Sequence, residues 1–165
     1  MANIYLDYAA TSRKHFDIIE KNMNILKEIY ANPSSSHTLG KKNDRLVREG
    51  REKIAKTLNA SSNEIIFNSG GTEANNTVFN HVLNRFESGE IIISSIEHPS
   101  VKASAKRLER FGFKVHELSV DENGAISLDE LKEKINSKTV LISIMLANNE
   151  TGVLNPLRKV SELIA

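Results

Sequence analysis

Apolar residues recur at helical spacing along the first third of the chain. Between residues 17 and 31 they share one face of a helix, namely Ile18, Ile19, Ile25, Leu26 and Ile29. The run Asn-Pro-Ser-Ser-Ser at 32–36 ends this helix. Residues 37–58 form a second, heavily charged pattern with one apolar stripe, made of Leu39, Leu46, Val47, Ile54 and Leu58. The pattern predicts two amphipathic helices.

Short apolar runs then alternate with helical patterns along the rest of the chain. The runs predict strands at residues 64–68, 91–94, 113–118 and 139–145. Helices are predicted from about 72 to 86, 99 to 111 and 127 to 135, and again after Pro156. The strand at 139–145 is almost wholly apolar, which is typical of a strand buried on both faces. The alternation predicts an α/β fold with a mostly parallel sheet flanked by helices.

The loops that follow the strands are where chemistry is expected, because parallel sheets bind ligands beyond the carboxyl ends of their strands. These loops are residues 69–76, 95–100 and 147–152. In the first loop, Gly70 and Gly71 let the backbone approach a ligand and Thr72 adds a hydroxyl, which suits a phosphate group. The alternative is a tight strand-to-helix turn with Thr72 as the N-cap.

The other two loops also allow two interpretations each. His98 precedes Pro99 just past a strand, where an imidazole could stack on an aromatic ligand or move protons, or could simply begin a helix at the surface. Asn148 and Asn149 could grip polar groups of a ligand or form a polar turn. A carboxylate at a helix start, such as Glu73, more often complements the helix dipole than acts as an acid or base.

Composition and charge exclude several classes of function. The 165 residues carry 22 basic and 21 acidic side chains, so the net charge of +1 gives no footprint for nucleic acid. No apolar run approaches the ~20 residues that span a bilayer, and the first residues lack a signal-peptide pattern, so no membrane association and a cytoplasmic location are expected. There is no cysteine and no metal-ligand spacing.

Five motifs in order resemble the class V aminotransferase superfamily, and within it most of all the cysteine desulfurases, which are fold-type I pyridoxal-phosphate enzymes. They are Tyr-Leu-Asp-Tyr-Ala-Ala-Thr at 5–11, Asn-Pro-Ser-Ser-Ser-His at 32–37, Asn-Ser-Gly-Gly-Thr-Glu-Ala-Asn-Asn at 68–76, Ile-Glu-His-Pro at 96–99 and Asn-Asn-Glu-Thr-Gly at 148–152. The resemblance extends over nearly the whole chain.

The resemblance implies a cofactor, pyridoxal 5′-phosphate, and roles for particular residues. Gly71 and Thr72 match the pair that binds the phosphate. His98 matches a catalytic imidazole that stacks on the pyridine ring and helps proton transfer. Asn149 matches an amide that contacts the ring hydroxyl and the substrate carboxylate. Ala10 and Thr11 match residues near the substrate.

The resemblance further implies removal of sulfur from L-cysteine to give L-alanine and an enzyme persulfide, a sulfur-acceptor protein for iron–sulfur cluster or thiolation pathways, and a homodimer. The family's cofactor-binding lysine and sulfur-carrying cysteine lie downstream of the matched region, so the segment alone is expected to be inactive. On this basis residues 1–15 form an arm near the active-site rim. Residues 16–165 form the N-terminal part of the large cofactor-binding domain, interrupted within a helix.

Two other functions stay open at this point. Tyr8, Leu146 and Thr151 stand where asparagine, histidine and isoleucine are frequent in the family, so another class V enzyme such as a selenocysteine lyase is an alternative. A noncatalytic binding module that retains only the scaffold is the other.

Overall fold

The computed structural model describes residues 4–164, which divide into two compact units, residues 4–67 and 68–164. The first unit contains two helices and a 3-10 turn: α1 Phe16–Glu28, α2 Thr38–Thr57 and Ser62–Glu64. The second contains α3 Gly71–Arg85, β1 Glu90–Ser94, α4 Pro99–Glu109, β2 Lys114–Leu118, α5 Leu128–Lys134, β3 Thr139–Ser143 and α6 Leu157–Ile164. The predicted arm and last helix also include residues 1–3 and 165, which lie outside the described residues.

The start of α2 is held by its N-cap and by a glycine. His37 is the N-cap, and its Nδ1 accepts a hydrogen bond from Gly40 N at 3.2 Å. A Cβ on Gly40 would lie 2.4 Å from the carbonyl oxygen of Ser35, so only glycine fits where the preceding turn packs against the helix. Both helices predicted in the first unit are confirmed.

The strand predicted at residues 64–68 is wrong. Ser61 and Glu64 form a capping box, in which Ser61 N donates to Glu64 Oε2 at 2.7 Å. The backbone bond from Glu64 N to Ser61 O at 3.0 Å closes the 3-10 turn. The carbonyl of Ile65 then accepts from Arg51 Nε at 3.2 Å. Ile66 is 69% exposed. A strand needs a neighbouring ladder, and no strand pairs with this run among residues 4–164.

The second unit is built around a three-stranded sheet of order β2-β1-β3, with both pairings parallel. The isoleucines of β1 alternate between its faces because side chains alternate along a strand. Ile91 and Ile93 pack in a cluster with α3 and α4, and Ile92 packs in a second cluster with α5 and α6. All three are at most 1% exposed. The predicted α/β class, with helices flanking a parallel sheet, is confirmed.

The strand β3 differs from its prediction in burial and length. It ends at Ser143 rather than 145, and all five of its residues are half-buried instead of buried on both faces. The physical reason is its position at the edge of the sheet, since the described residues place a paired strand only on its β1 side. The continuous apolar run is instead matched by β1, which lies in the centre and is buried along Ile91–Ser94.

Candidate functional site

The strand order places a topological switch point at the carboxyl ends of β1 and β3. From β1 the chain passes through α4 on one face to β2, and from β2 it crosses back through α5 on the other face to β3. The helices that follow the neighbouring strands β1 and β3 therefore lie on opposite faces. Such a switch point is where open α/β sheets bind their ligands. The segments that leave these two strands here carry His98 and Asn149.

The start of α3 has an open backbone. Gly70 is the N-cap, and the first hydrogen bond of the helix is that from Ala74 N to Gly70 O at 3.1 Å. The amides of Gly71, Thr72 and Glu73 precede that bond and point out of the helix end. A Cβ on Gly70 or Gly71 would meet nothing within 4 Å. The alternative in which Thr72 is the N-cap is wrong, because Thr72 lies inside the first turn.

Glu73 caps the helix start from within the first turn. Its Oε2 accepts a hydrogen bond from Ser69 N. Hydrogen bonds from the side chain and the backbone of Ser69 hold the pKa of the Glu73 carboxyl below its ordinary value of 4.5. A carboxylate engaged in this way complements the helix terminus, as expected from its position, and is poorly suited to acid chemistry.

His98 begins α4 and is exposed. It is the N-cap residue, followed by Pro99 in the first turn. Its Nδ1 accepts from Ser100 N at 3.1 Å and lies 2.8 Å from Ser100 Oγ. His98 thus begins a helix at the surface, and the engagement of Nδ1 leaves the Nε2 edge of the ring available to a ligand.

The two asparagines after β3 have different surroundings. Asn148 is buried, and its Oδ1 accepts from the amides of Glu150 and Thr151 at 2.9 Å each. Its Nδ2 donates to Ile96 O at 3.1 Å. Asn149 is exposed and donates to Glu150 Oε1 at 2.9 Å. Asn148 therefore builds the loop, and the Asn149 amide stays at the surface.

Hydrogen bonds between side chains and backbone groups far apart in sequence bring the three loops together. Asn75 Nδ2, one turn into α3, donates to Ser100 Oγ at 2.8 Å. Glu97 Oε1 accepts from Ser94 Oγ at 2.8 Å and from Met145 N at 2.7 Å, which ties the end of β1 to the segment after β3. Asn148 adds the bond to Ile96. The segments that carry Gly71, His98 and Asn149 are thus linked on one edge of the sheet.

Sequence reasoning did not assign these linking side chains a role. Asn75 and Glu97 stand inside quoted motifs, and their only local signal was a polar residue next to a strand end. Their partners are 25 and 48 residues away, so the contacts depend on the fold.

Ala10 and Thr11 belong to the first unit. Their amides both donate to Asp7 O at 3.2 Å, and the hydroxyl of Tyr5 donates to Thr11 O at 3.0 Å. Both residues are exposed. Their predicted place beside a substrate stays a prediction.

Within residues 4–164, no three His, Cys, Asp or Glu side chains gather as a metal-binding set. None of the helices described is both long and apolar enough to cross a bilayer.

The sheet, its switch point and the open helix start define an α/β protein with a candidate ligand site at the strand ends. The chain belongs to the class V aminotransferase family, since the family model described as Aminotransferase class-V matches residues 4–165. It is 38% identical over 162 residues to the cysteine desulfurase IscS of Clostridium botulinum strain Hall, an alignment that covers 97% of this chain and 41% of that protein.

Solved structures agree with this assignment. A NifS-like protein superposes with a TM-score of 0.91 at 37% identity, covering 94% of this chain and 43% of the other. The structure of SspA in complex with cysteine gives a TM-score of 0.91 at 35% identity, covering 96% and 46%. The chain therefore spans less than half the length of these relatives.

Proposed function

We propose that this chain is the N-terminal, cofactor-binding part of a pyridoxal-phosphate-dependent cysteine desulfurase. The observation that carries the proposal is the meeting of three loops at the switch point of a class V aminotransferase sheet. Relatives named as cysteine desulfurases and the cysteine complex of SspA support L-cysteine as the substrate. These relatives also favour it over selenocysteine.

The start of α3 fits a phosphate. Gly70 and Gly71 leave open space where any other side chain would project, and the outward amides of the first turn carry the positive end of the helix dipole. We assign the phosphate to Gly71 and Thr72, with the Thr72 hydroxyl as an additional donor. Glu73 is compatible with an anion there because its carboxylate is turned back onto Ser69.

The pyridine ring is assigned to His98, and the ring hydroxyl and the substrate carboxylate are assigned to Asn149. Both side chains are exposed beyond the ends of β1 and β3, and both follow segments that buried or half-buried hydrogen bonds hold in place. An imidazole held by Nδ1 can lie against the ring and exchange a proton through Nε2. Ala10 and Thr11 are proposed to lie near the substrate.

When bound, the cofactor supplies the electron sink for cleavage of a bond at the carbon that bears the substrate's amino group. The overall reaction breaks the C–S bond of L-cysteine, leaves L-alanine and transfers the sulfur to a cysteine thiolate as a persulfide. This chain has no cysteine, so that thiolate is assigned to a residue outside it. The cofactor's lysine is also assigned outside it, because the family's lysine lies downstream of the matched region. A cytoplasmic homodimer that passes sulfur to iron–sulfur or thiolation pathways completes the proposal. Residues 1–15 are its rim arm, and residues 16–165 are part of its large domain.

Binding of pyridoxamine 5′-phosphate tests the cofactor site on this chain directly. This compound has no aldehyde, so it cannot react with surface lysines, and its binding is followed by fluorescence. We expect saturable binding that Gly71→Ala weakens about ten- to hundredfold, because the added Cβ would project into the open space in front of the amides and keep the phosphate from one or two charge-assisted hydrogen bonds.

Gly50→Ala is the matched control, since a Cβ there also meets nothing within 4 Å. It should leave the affinity unchanged. Pyridoxamine, which lacks the phosphate, should bind weakly and equally to all three proteins. Equal affinity of the wild type and Gly71→Ala for the phosphate compound would refute the assignment of the phosphate to α3.

A further inference from the structure

The ring of His98 is held by hydrogen bonds that decide where its proton resides. The backbone amide of Ser100 lies 3.1 Å from Nδ1, and a backbone N–H can only donate. Nδ1 must therefore carry the lone pair. In the neutral ring, the proton is then on Nε2.

A second donor reaches the same nitrogen through a short chain of side chains. Asn75 Nδ2 donates to Ser100 Oγ at 2.8 Å, which occupies a lone pair of that oxygen. The hydroxyl hydrogen of Ser100 is then free to point at Nδ1, 2.8 Å away. The donors run in one direction, from Asn75 through Ser100 to His98.

This chain of contacts crosses between two helices of the same unit. Asn75 lies in the second turn of α3, which begins at the assigned phosphate site, and Ser100 lies in the first turn of α4. The Ser104 hydroxyl donates to Ser100 O at 2.8 Å, and its oxygen lies 3.2 Å from Asn76 Oδ1, a second contact between the helices. A displacement of α3 would therefore alter the hydrogen bonds that hold the His98 ring.

We propose that Asn75 and Ser100 are positioning residues that fix His98 as the Nε2–H tautomer and hold its ring by the Nδ1 edge. The Nε2–H group is then the donor that the ring offers to the site. The catalytic meaning of this arrangement rests on the proposed function. The tautomer itself does not.

The tautomer is measured by two-bond ¹⁵N–¹H correlation NMR of the ligand-free chain at about pH 9, where histidine side chains are neutral. His15 is an internal reference, because it is also an N-cap but its side chain makes no cap hydrogen bond. One hydrogen bond of ordinary strength shifts such an equilibrium about fivefold. The Nδ1–H form should be at least that much rarer at His98 than at His15.

Two variants separate the effect of the Ser100 hydroxyl on the tautomer from that of the Ser100 backbone amide. Ser100→Ala keeps the backbone amide, so the fold and the tautomer preference should persist while the Nδ1–H population of His98 rises about fivefold. Asn75→Asp can only accept, so it turns the Ser100 hydroxyl away from the ring and should raise that population too. Ser161→Ala, an exposed serine on α6, should change nothing.

The same Nδ1–H fraction at His98 and His15 in the wild type would overturn the proposal without any variant. An unchanged Nδ1–H fraction of His98 in a folded Ser100→Ala chain would overturn the role of the Ser100 hydroxyl. Neither result depends on cofactor binding. A failed proposal for the function would appear in the pyridoxamine 5′-phosphate titration instead.

Discussion

Replacing Glu97 by alanine should destabilise the fold by a predictable amount. Its side chain accepts two hydrogen bonds through Oε1, from Ser94 Oγ and from Met145 N, and Glu97 itself is 6% exposed. Glu97→Ala leaves a buried hydroxyl and an amide without their acceptor. Each orphaned group costs about 1–3 kcal/mol.

Part of this cost is offset because the variant no longer buries a carboxylate. We therefore expect a loss of about 3 kcal/mol in the free energy of unfolding for Glu97→Ala. Glu97→Gln keeps an amide oxygen at the same place and should lose about 1 kcal/mol. Glu87→Ala, at an exposed loop position, should stay within about 0.5 kcal/mol of the wild type.

Urea denaturation followed by circular dichroism measures these values, provided that the slope with denaturant is the same for each variant. A double-mutant cycle with Ser94→Ala isolates one of the two bonds, and its coupling energy should be about 1 kcal/mol. If Glu97→Ala unfolds at the same urea concentration as the wild type, the hydrogen bonds of Glu97 do not join β1 to the segment after β3.

Three other outcomes follow from the same structure. Gly40→Ala should destabilise the chain by about 1–3 kcal/mol, because its Cβ would clash with Ser35. Gly50→Ala in the same helix should stabilise it by about 0.5–1 kcal/mol, because a Cβ there meets nothing within 4 Å. Equal effects of the two substitutions in thermal unfolding would contradict this contrast. Leu108→Ala, which empties a fully buried site, should cost about 2–5 kcal/mol in the same assay. The side-chain and backbone hydrogen bonds from Ser119 hold the pKa of the Glu130 carboxyl below its ordinary value of 4.5. Ser119→Ala should raise that pKa in a carbon NMR titration. A lowered carboxyl pKa stabilises the fold above 4.5 and ceases to do so as the pH falls through the folded value, so the stability difference between wild type and Ser119→Ala should shrink below pH 4.5. A constant difference would count against this role of Ser119.

The helices and three of the four predicted strands follow from local information. The apolar period distinguishes β1 from α4, and the signals at Pro99 and Ser127 mark helix starts that the structure contains. These features depend on residues within a few positions of one another, which is why the sequence alone predicts them.

The errors arise where the fold depends on distant partners. Residues 64–68 have the composition of a strand, but strand formation requires a neighbour, and the local capping box of Ser61 prevails. The burial of β3 likewise depends on what lies on each side of it. A short apolar run carries no information about either.

The candidate site divides in the same way. The rule that ligands bind at strand ends led to the candidate loops of His98 and Asn149, which follow β1 and β3, and also to that of Gly71, although no strand precedes Gly71 in the described residues. It did not identify Glu97 as the residue that joins the end of β1 to the segment after β3, or Asn75 as a partner of Ser100. Those contacts join residues far apart in sequence, and only the strand order makes them neighbours.

The most direct test uses the protein translated from the whole reading frame that contains this chain. It is incubated with pyridoxal phosphate and L-cysteine, and L-alanine and protein-bound persulfide are quantified. The account predicts that both form in equal amounts in the first turnover, before any acceptor is added. A cofactor-loaded protein that forms no alanine from cysteine would contradict it.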